Sequence, residues 1–320
     1  MTNKKLKILV TGGAGFVGSH LCEKLDKEFR NCSLVIIDKL TYAADKNYLK
    51  NILKKKKHKF IKIDIINYNK IIKYFSKVDI AINVAAESHV DRSFNNSFEF
   101  TKTNTLGAHV FLECCKQKKI KNVYQISTDE VYGQKLFGKN NEKDKLNPTN
   151  PYAASKAAAE MIINSYNESF KSKISILRAN NIFGPRQNPE KIIPHTICSL
   201  IENKKINLHG NGQQKRCFLH INDFCKAVIL IIKRKKHGEI YNVGSDQEIK
   251  IETLIKLICT MMNKNFKKSV KYVLDRPFND FRYNISYDKM KKLGWTPKLR
   301  LKLELVKIID WYKDNYKKFN

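Results

Sequence analysis

The stretch Lys7-Ile-Leu-Val-Thr-Gly-Gly-Ala-Gly-Phe-Val-Gly18 decides the fold. An apolar run ends in glycines at 12, 13, 15 and 18, and an amphipathic segment follows from Phe16 to Phe29. That order predicts a strand, a tight turn and a helix. The spacing satisfies GxxGxxG and, counted from Gly13, GxGxxG. Glycines so placed allow the tight turn, close approach of backbone to a pyrophosphate, and close helix–sheet packing; the helix N-terminus then faces the phosphates. A second apolar run, 33–38, ends at Asp38, 20 residues after Gly18. A carboxylate there can accept hydrogen bonds from ribose hydroxyls and would repel a 2′-phosphate, which favours NAD over NADP, although Lys39 offsets part of that repulsion. The competing reading is a glycine-rich turn with no ligand.

Working outward, strand-like runs recur at 59–64, 78–84, 122–127 and 174–178, with helix-period segments at 101–116 and 153–170. Such alternation predicts an α/β fold, a doubly wound parallel Rossmann sheet. Asp64 and Ile65, at the end of the third run, are placed to edge an adenine. Beyond about Gly184 the alternation loosens into Pro-containing loops, short strands and a helix near 251–263. The expected domains are a Rossmann domain over 1–184, with return segments near 221–243, and a smaller, interleaved C-terminal substrate domain over most of 185–320. The lysine runs 54–57 and 233–236 fall at element junctions, where solvated loops and helix ends are the ordinary setting.

The 320 residues suffice for about two domains. Lys and Arg number 61 against 30 Asp and Glu, a formal charge of +31, and only nine of the 61 are Arg. An excess of this size invites a nucleic-acid-binding reading. That reading needs cations interleaved with aromatics on one face, whereas lysine here is spread through nearly every segment, so no nucleic-acid partner is expected. The role left to the charge is attraction of an anionic substrate. A chain 42% hydrophobic and 10% aromatic packs a core and is no disordered tail. Eight cysteines form no CxxC pair and no cluster at zinc-ligand spacing, which predicts reduced thiols, a cytoplasmic location and no metal. Residues 1–7 are polar, and no apolar run approaches the roughly 18 residues that span a bilayer, so neither a secretion signal nor a membrane segment is expected.

Two further motifs carry chemistry. Tyr152-Ala-Ala-Ser-Lys156 sets a phenol and an ammonium at i and i+4, on one helix face. An adjacent cation favours the phenolate, so Tyr152 can take a hydroxyl proton while hydride leaves the same carbon. Ser127-Thr-Asp-Glu-Val-Tyr-Gly133 follows a strand, and its acids Asp129 and Glu130 therefore emerge at the carboxyl end of the sheet, where doubly wound folds bind ligands. Beside an oxidised carbon, one carboxylate can take a proton alpha to a ketone while the other, protonated, assists departure of a hydroxyl.

These motifs, together with Asp38-Lys-Leu-Thr-Tyr-Ala43, Ala85-Ala-Glu-Ser-His-Val-Asp-Arg-Ser93, Asn180-Asn181, Gly184-Pro185 and Pro189-Glu-Lys-Ile-Ile-Pro194, resemble the nucleoside-diphosphate-glucose 4,6-dehydratases of the extended short-chain dehydrogenases/reductases. The resemblance runs in order from about residue 6 to the 311–312 region. It implies a cycle in which Tyr152, assisted by Thr128 and Lys156, removes the O4 proton as C4 passes hydride to NAD. Glu130 then takes the C5 proton while Asp129 protonates the departing O6; hydride returns to C6 and Glu130 reprotonates C5, giving a 4-keto-6-deoxy sugar nucleotide. It further implies cofactor contacts at Gly12, Gly15, Phe16, Val17, Gly18, Asp38, Lys39, Ala85, Ala86, Ser88 and Thr103. Substrate contacts are implied at Ser88, Asn181, Lys191, Arg216, Asn242 and Arg276. Arg216 and Arg276 also suit bidentate phosphate recognition on chemical grounds. The family's 4-epimerases lack the acid pair, and its UDP-glucuronate decarboxylases and GDP-mannose dehydratases typically read Thr-Ser-Glu, so Asp129 favours the glucose dehydratases. The dTDP-glucose enzymes usually read Arg-Pro-Gly-His-Asp-Arg-Arg-Tyr where Arg276-Pro-Phe-Asn-Asp-Phe-Arg-Tyr283 stands here. Phe278 and Asn279 lean toward the UDP-glucose branch that feeds rhamnose synthesis, as does Arg178-Ala-Asn-Asn181. The family also implies a homodimer through helices at 101–116 and 153–170.

Overall fold

The computed structural model describes residues 5–235 and 237–319; residues 1–4 of the polar N-terminus, Lys236 of the second lysine run, and Asn320 lie outside them. The described strands are β1 (Leu6–Thr11), β2 (Cys32–Asp38), β3 (Lys59–Lys62), β4 (Ile80–Asn83), β5 (Asn122–Thr128), β6 (Ser175–Ala179), β7 (Asn181–Phe183), β8 (Ile206–His209), β9 (Lys215–His220), β10 (Ile240–Val243), β11 (Glu248–Lys250) and β12 (Val270–Val273). Seven of them form one parallel sheet in the order β10-β6-β5-β4-β1-β2-β3. The order reverses between β1 and β4, and a crevice opens above the carboxyl ends at such a reversal.

Side chains alternate across each strand, so Ile8 and Val10 face one layer while Leu9 faces the other. The first layer holds α1 (Phe16–Glu28). The second holds α2 (Gly107–Gln117) and α3 (Pro151–Phe170), through Phe111, Leu112 and Ile163. A third core lies outside the sheet: Ile193 and Ile197 of α4 (Ile192–Ile201) meet residues from later helices. The helix α5 (Ile221–Arg234) returns to the first layer, packing Phe224, Val228 and Ile231 there, and β10 then pairs with β6. Tyr287, Met290 and Trp295 join the same core, a second return that the sequence did not reveal. The remaining long helices, α6 (Ile251–Met261) and α7 (Leu301–Asn315), complete the third core with Leu254, Ile258, Leu305 and Tyr312.

The segment 101–116 reads from sequence as one helix, but the structure opens it with a π-helical turn over Thr101–Leu106 before α2. Buried Asn104 fastens that wider turn: its Nδ2 donates to the Glu87 carbonyl (2.9 Å) and to Ser155 Oγ (2.9 Å), and its Oδ1 accepts from Glu87 N (2.8 Å). These tertiary bonds offset the poorer backbone geometry, which is why periodicity gave no sign of it.

Candidate active site

One cleft runs along the carboxyl ends of β1, β2, β4 and β5 and continues against the smaller core. Its floor begins at the glycine turn. Gly12 has φ +66°, and a Cβ there would stand 2.6 Å from the Ala85 backbone; a Cβ on Gly18 would stand 2.1 Å from the Gly12 carbonyl. Only glycine leaves this cradle open and the helix close to it. Gly12, Gly15, Phe16, Val17 and Gly18 all line the cleft, with Asp38, Lys39, Ile65, Ala85, Ala86, Ser88 and Thr103 around them. A dinucleotide fits these residues: a phosphate-sized approach to bare backbone, with a carboxylate at the next strand end.

Buried Asp38 accepts from Ala14 N through Oδ2 (2.9 Å) and from Leu40 N through Oδ1 (2.8 Å), so its position is locked. The Lys39 ammonium faces Thr103 Oγ1 (3.3 Å), Asp64 (3.7 Å) and Glu87 (4.0 Å). These acids share its charge, while the Asp38 carboxylate stands at the strand end where a 2′-phosphate would fall. Asp64 itself stays off the cleft wall, where its Oδ1 accepts from Ile66 N (3.1 Å). It acts as a turn former, while Ile65 beside it reaches the cleft.

Thr128, Glu130, Tyr152 and Lys156 share the wall beyond β5. Thr128 ends the strand and its hydroxyl caps the following turn, accepting from Glu130 N (3.2 Å). Asn150 caps α3, accepting from Ala153 N (2.9 Å), and turns its Nδ2 toward Glu130 Oε2 (3.3 Å). Lys156 Nζ donates to the Ile126 carbonyl (2.6 Å), and burial pulls its pKa down to about 8. The Tyr152 phenol, hydrogen-bonded to Thr128, is pushed up by burial and then by the Glu130 and Asp129 charges. The sequence reading expected Lys156 to favour the phenolate. In the free chain burial and two carboxylates outweigh it, because the ammonium is turned to the Ile126 carbonyl.

Asp129 lies behind the wall rather than in it. It is 3% exposed, and it accepts from Asn180 Nδ2 (2.7 Å) and Thr128 Oγ1 (3.3 Å). Burial, then the neighbouring Glu130 charge, raises its pKa to about 7. Glu130 is raised as well, chiefly by burial, against the pull of Lys191 and Arg216. Asp129 can therefore give and take a proton near neutral pH, and Glu130 beside it holds its proton more tightly than a free carboxyl.

The far half of the cleft gathers Asn181, Lys191, Arg216, Arg276, Phe278 and Asn279. Lys191 Nζ donates to the Ser88 carbonyl. Arg216 stacks over Tyr283 (4.5 Å to the ring centre), and its Nη2 donates to Asn279 Oδ1 (3.4 Å). Asn242 does not reach the cleft. Fully buried on β10, it accepts from Tyr132 Oη (2.9 Å) and donates to the Asn140 carbonyl (3.3 Å). That places it in a buried network under the 129–132 turn, where Glu160 takes Ser127 Oγ (2.6 Å) and pairs with Arg178 (2.5 Å), which donates to Tyr132 Oη (2.6 Å).

Sequence reasoning gave no role to Asn150, Asn180 or Tyr283. Asn150 carried a signal, since an Asn followed by Pro151 at the first helical position marks a capped helix start. Asn180 and Tyr283 carried none, because the contacts that tie them to the site, Asn180 to Asp129 and the Tyr283 ring to Arg216, join positions far apart in the chain. Among the described residues, no three His, Cys, Asp or Glu side chains are grouped to hold a metal, and no helix is long and apolar enough to cross a membrane.

A family model described as GDP-mannose 4,6 dehydratase matches residues 9–308. A dTDP-D-glucose 4,6-dehydratase of Homo sapiens is 40% identical, covering 97% of this chain and 91% of its own. A trifunctional UDP-glucose 4,6-dehydratase/3,5-epimerase/reductase of Arabidopsis thaliana is 38% identical over 98% of this chain and 48% of its own. The crystal structure of a dTDP-glucose 4,6-dehydratase from Streptomyces venezuelae, with NAD bound, superposes with a TM-score of 0.95 at 32% identity and covers 98% of both chains. The glycine cradle, the Tyr152–Lys156 helix and the Asp129–Glu130 turn thus stand in a chain that belongs to the sugar-nucleotide 4,6-dehydratases, within the family described as GDP-mannose 4,6 dehydratase.

Proposed function

We propose that this enzyme is an NAD-dependent 4,6-dehydratase that converts UDP-glucose, in preference to dTDP-glucose, to the 4-keto-6-deoxy sugar nucleotide. The observation that carries the reading is the buried carboxyl of Asp129, held near half-protonation at neutral pH (about 7) beside Glu130. NAD, when bound, supplies the acceptor and later the donor of hydride. Tyr152, hydrogen-bonded to Thr128, takes the O4 proton, and Lys156 one turn along, once released from the Ile126 carbonyl it meets in the free chain, supplies the charge that favours the phenolate. Glu130 takes the C5 proton, made acidic by the C4 ketone, Asp129 gives its proton to the departing O6, and Glu130 returns a proton to C5 once C6 has been reduced. Asp129 lies behind Thr128 and Asn180, so a small rotation about its side chain must bring the acid to O6.

Phe278 and Asn279 in the cleft wall support uracil over thymine. Lys191, Arg216 and Arg276 suit the diphosphate. A 4-epimerase or decarboxylase has no need for an acid at O6, which makes those readings second. The decisive experiment incubates the purified protein with UDP-glucose and dTDP-glucose in parallel, with NAD, and assays 4-keto product from each. Faster turnover of UDP-glucose is expected; consumption of neither would overturn the reading.

We also assign a homodimer through 101–116 and 153–170, supported by exposed apolar side chains on those segments, Leu106 and Met161 (47% and 51% exposed). Sedimentation should give twice the monomer mass. Seven of the eight cysteines are buried and all are free, which suits a reducing cytoplasm. Residues 1–184 with the 221–243 return are proposed as the cofactor domain, and most of 185–320 as the substrate domain. No nucleic-acid role is assigned to the charge.

A further inference from the structure

The loop that follows β4 has a second use besides walling the cofactor half of the cleft. Arg276, 185 positions further along the chain, lines the substrate half, and its guanidinium is already engaged: Nε lies 2.5 Å from Asp91 Oδ1, and Nη2 donates to Asp91 Oδ2 at 3.0 Å. Both side chains are about a third exposed or less. An ion pair at that exposure contributes little to stability. The proton transfers proposed above make no use of Asp91, and its carboxylate is not on the cleft wall.

We propose that Asp91 is a positioning residue for the substrate's diphosphate, holding one edge of Arg276 so that the other edge faces the phosphates. A guanidinium carries five donors in a flat fork. Asp91 accepts one donor of Nη2 and pairs by charge with Nε, which lies 2.5 Å away without hydrogen-bond alignment; that leaves two donors on Nη1 and one on Nη2 along the end of the fork, the edge that matches a phosphate bidentately. The same short stretch fixes a second cation, because Lys191 Nζ donates to the carbonyl of Ser88. Between them His89 stands 3.6 Å from Asp91 Oδ2 and 3.7 Å from Glu190 Oε2, and the Tyr42 hydroxyl donates to that same Glu190 oxygen at 2.6 Å. Ser88 and Asp91 thus each hold a cation that lines the substrate half of the cleft. An arginine ordered in advance loses less rotamer freedom when its ligand arrives. This inference rests on the reading of Arg276 as a diphosphate contact.

The test uses UDP binding by calorimetry to the NAD-loaded protein, with steady-state kinetics on the turned-over sugar nucleotide. The variants are Asp91→Ala, Asp91→Asn, Arg276→Ala and the double variant Asp91→Ala/Arg276→Ala. Asp91→Ala should weaken UDP about five- to tenfold and raise KM alike, with kcat lowered by less than about twofold, a split that general loss of structure would not produce. Asp91→Asn, which keeps the shape and one acceptor, should fall between, and it carries the comparison if the alanine variant does not fold. The double variant should bind UDP as Arg276→Ala does, because Asp91 acts through Arg276 alone. Tighter UDP binding by Asp91→Ala would mean that the carboxylate competes with phosphate for the guanidinium, and would overturn the proposal. So would a double variant weakened by the full Asp91 factor beyond Arg276→Ala. Unchanged UDP affinity in Arg276→Ala would instead remove the underlying assignment of Arg276.

Discussion

Replacing Asp129 with Asn tests the chemistry most directly. The carboxyl is 3% exposed, is held by Asn180 and Thr128, and titrates near 7 because burial and the Glu130 charge both disfavour its anion. At pH 7 about half of the molecules carry the proton that O6 needs, and at pH 8 roughly a tenth do. Elimination by the wild-type enzyme should therefore fall about tenfold per pH unit above 7. Asn keeps the shape and can still meet Thr128, yet it has no proton to give, so elimination should slow by about 10² to 10⁴-fold and lose that alkaline limb. Oxidation at C4 should be spared, since Asp129 only raises the Tyr152 phenol and its removal relieves that push. A single-turnover experiment separates the two: reduced nicotinamide, followed by its near-ultraviolet absorbance, should build up and persist in the variant while 4-keto-6-deoxy product lags. Product formation at the wild-type rate by the Asp129→Asn variant would refute the assignment of the acid.

Four other outcomes are expected. Glu160→Gln leaves the buried Arg178 charge without its partner at 2.5 Å, and urea unfolding should show a loss of about 3 kcal/mol or more. Gly18→Ala drives a Cβ to 2.1 Å from the Gly12 carbonyl; the overpacked turn should cost about 1–3 kcal/mol and empty the protein of NAD, as measured by released cofactor. Asp38→Asn removes the charge that a 2′-phosphate would meet, and NADP affinity should rise by the equivalent of about 1–4 kcal/mol in a cofactor titration; no rise would count against Asp38 as the discriminator. Lys156 has its pKa lowered to about 8 by burial, so it is charged below that pH and neutral above. The oxidation step, read alone, should therefore slow as pH passes about 8, and a rate flat to pH 10 would exclude a need for the ammonium.

Much of the cleft was legible in the linear chain because its geometry is local. Glycines at 12 and 15 between β1 and α1, with Gly18 in the first turn of α1, set the cradle locally, and Tyr152 and Lys156 share a face by the pitch of α3. Where sequence reading failed, the cause lay in side chains whose settings come from distant elements. Asn242 looked like a substrate contact, but β10 pairs with β6 and turns it under the 129–132 turn, onto Tyr132. The π-helical turn at Thr101–Leu106 is held by Asn104 against Glu87 and Ser155, and no periodicity encodes such bonds.

The sequence by itself determined the fold class and the glycine cradle and singled out the candidate proton-handling residues, because propensity, spacing and glycine sterics act within a few residues. The tertiary structure alone decided their states. It buried Asp129 and so raised its pKa to about 7, turned Lys156 to a carbonyl, and brought Asp91 to Arg276 across 185 positions. Desolvation and ion pairing depend on what surrounds a group in space, and the chain's order does not specify those surroundings until it has folded.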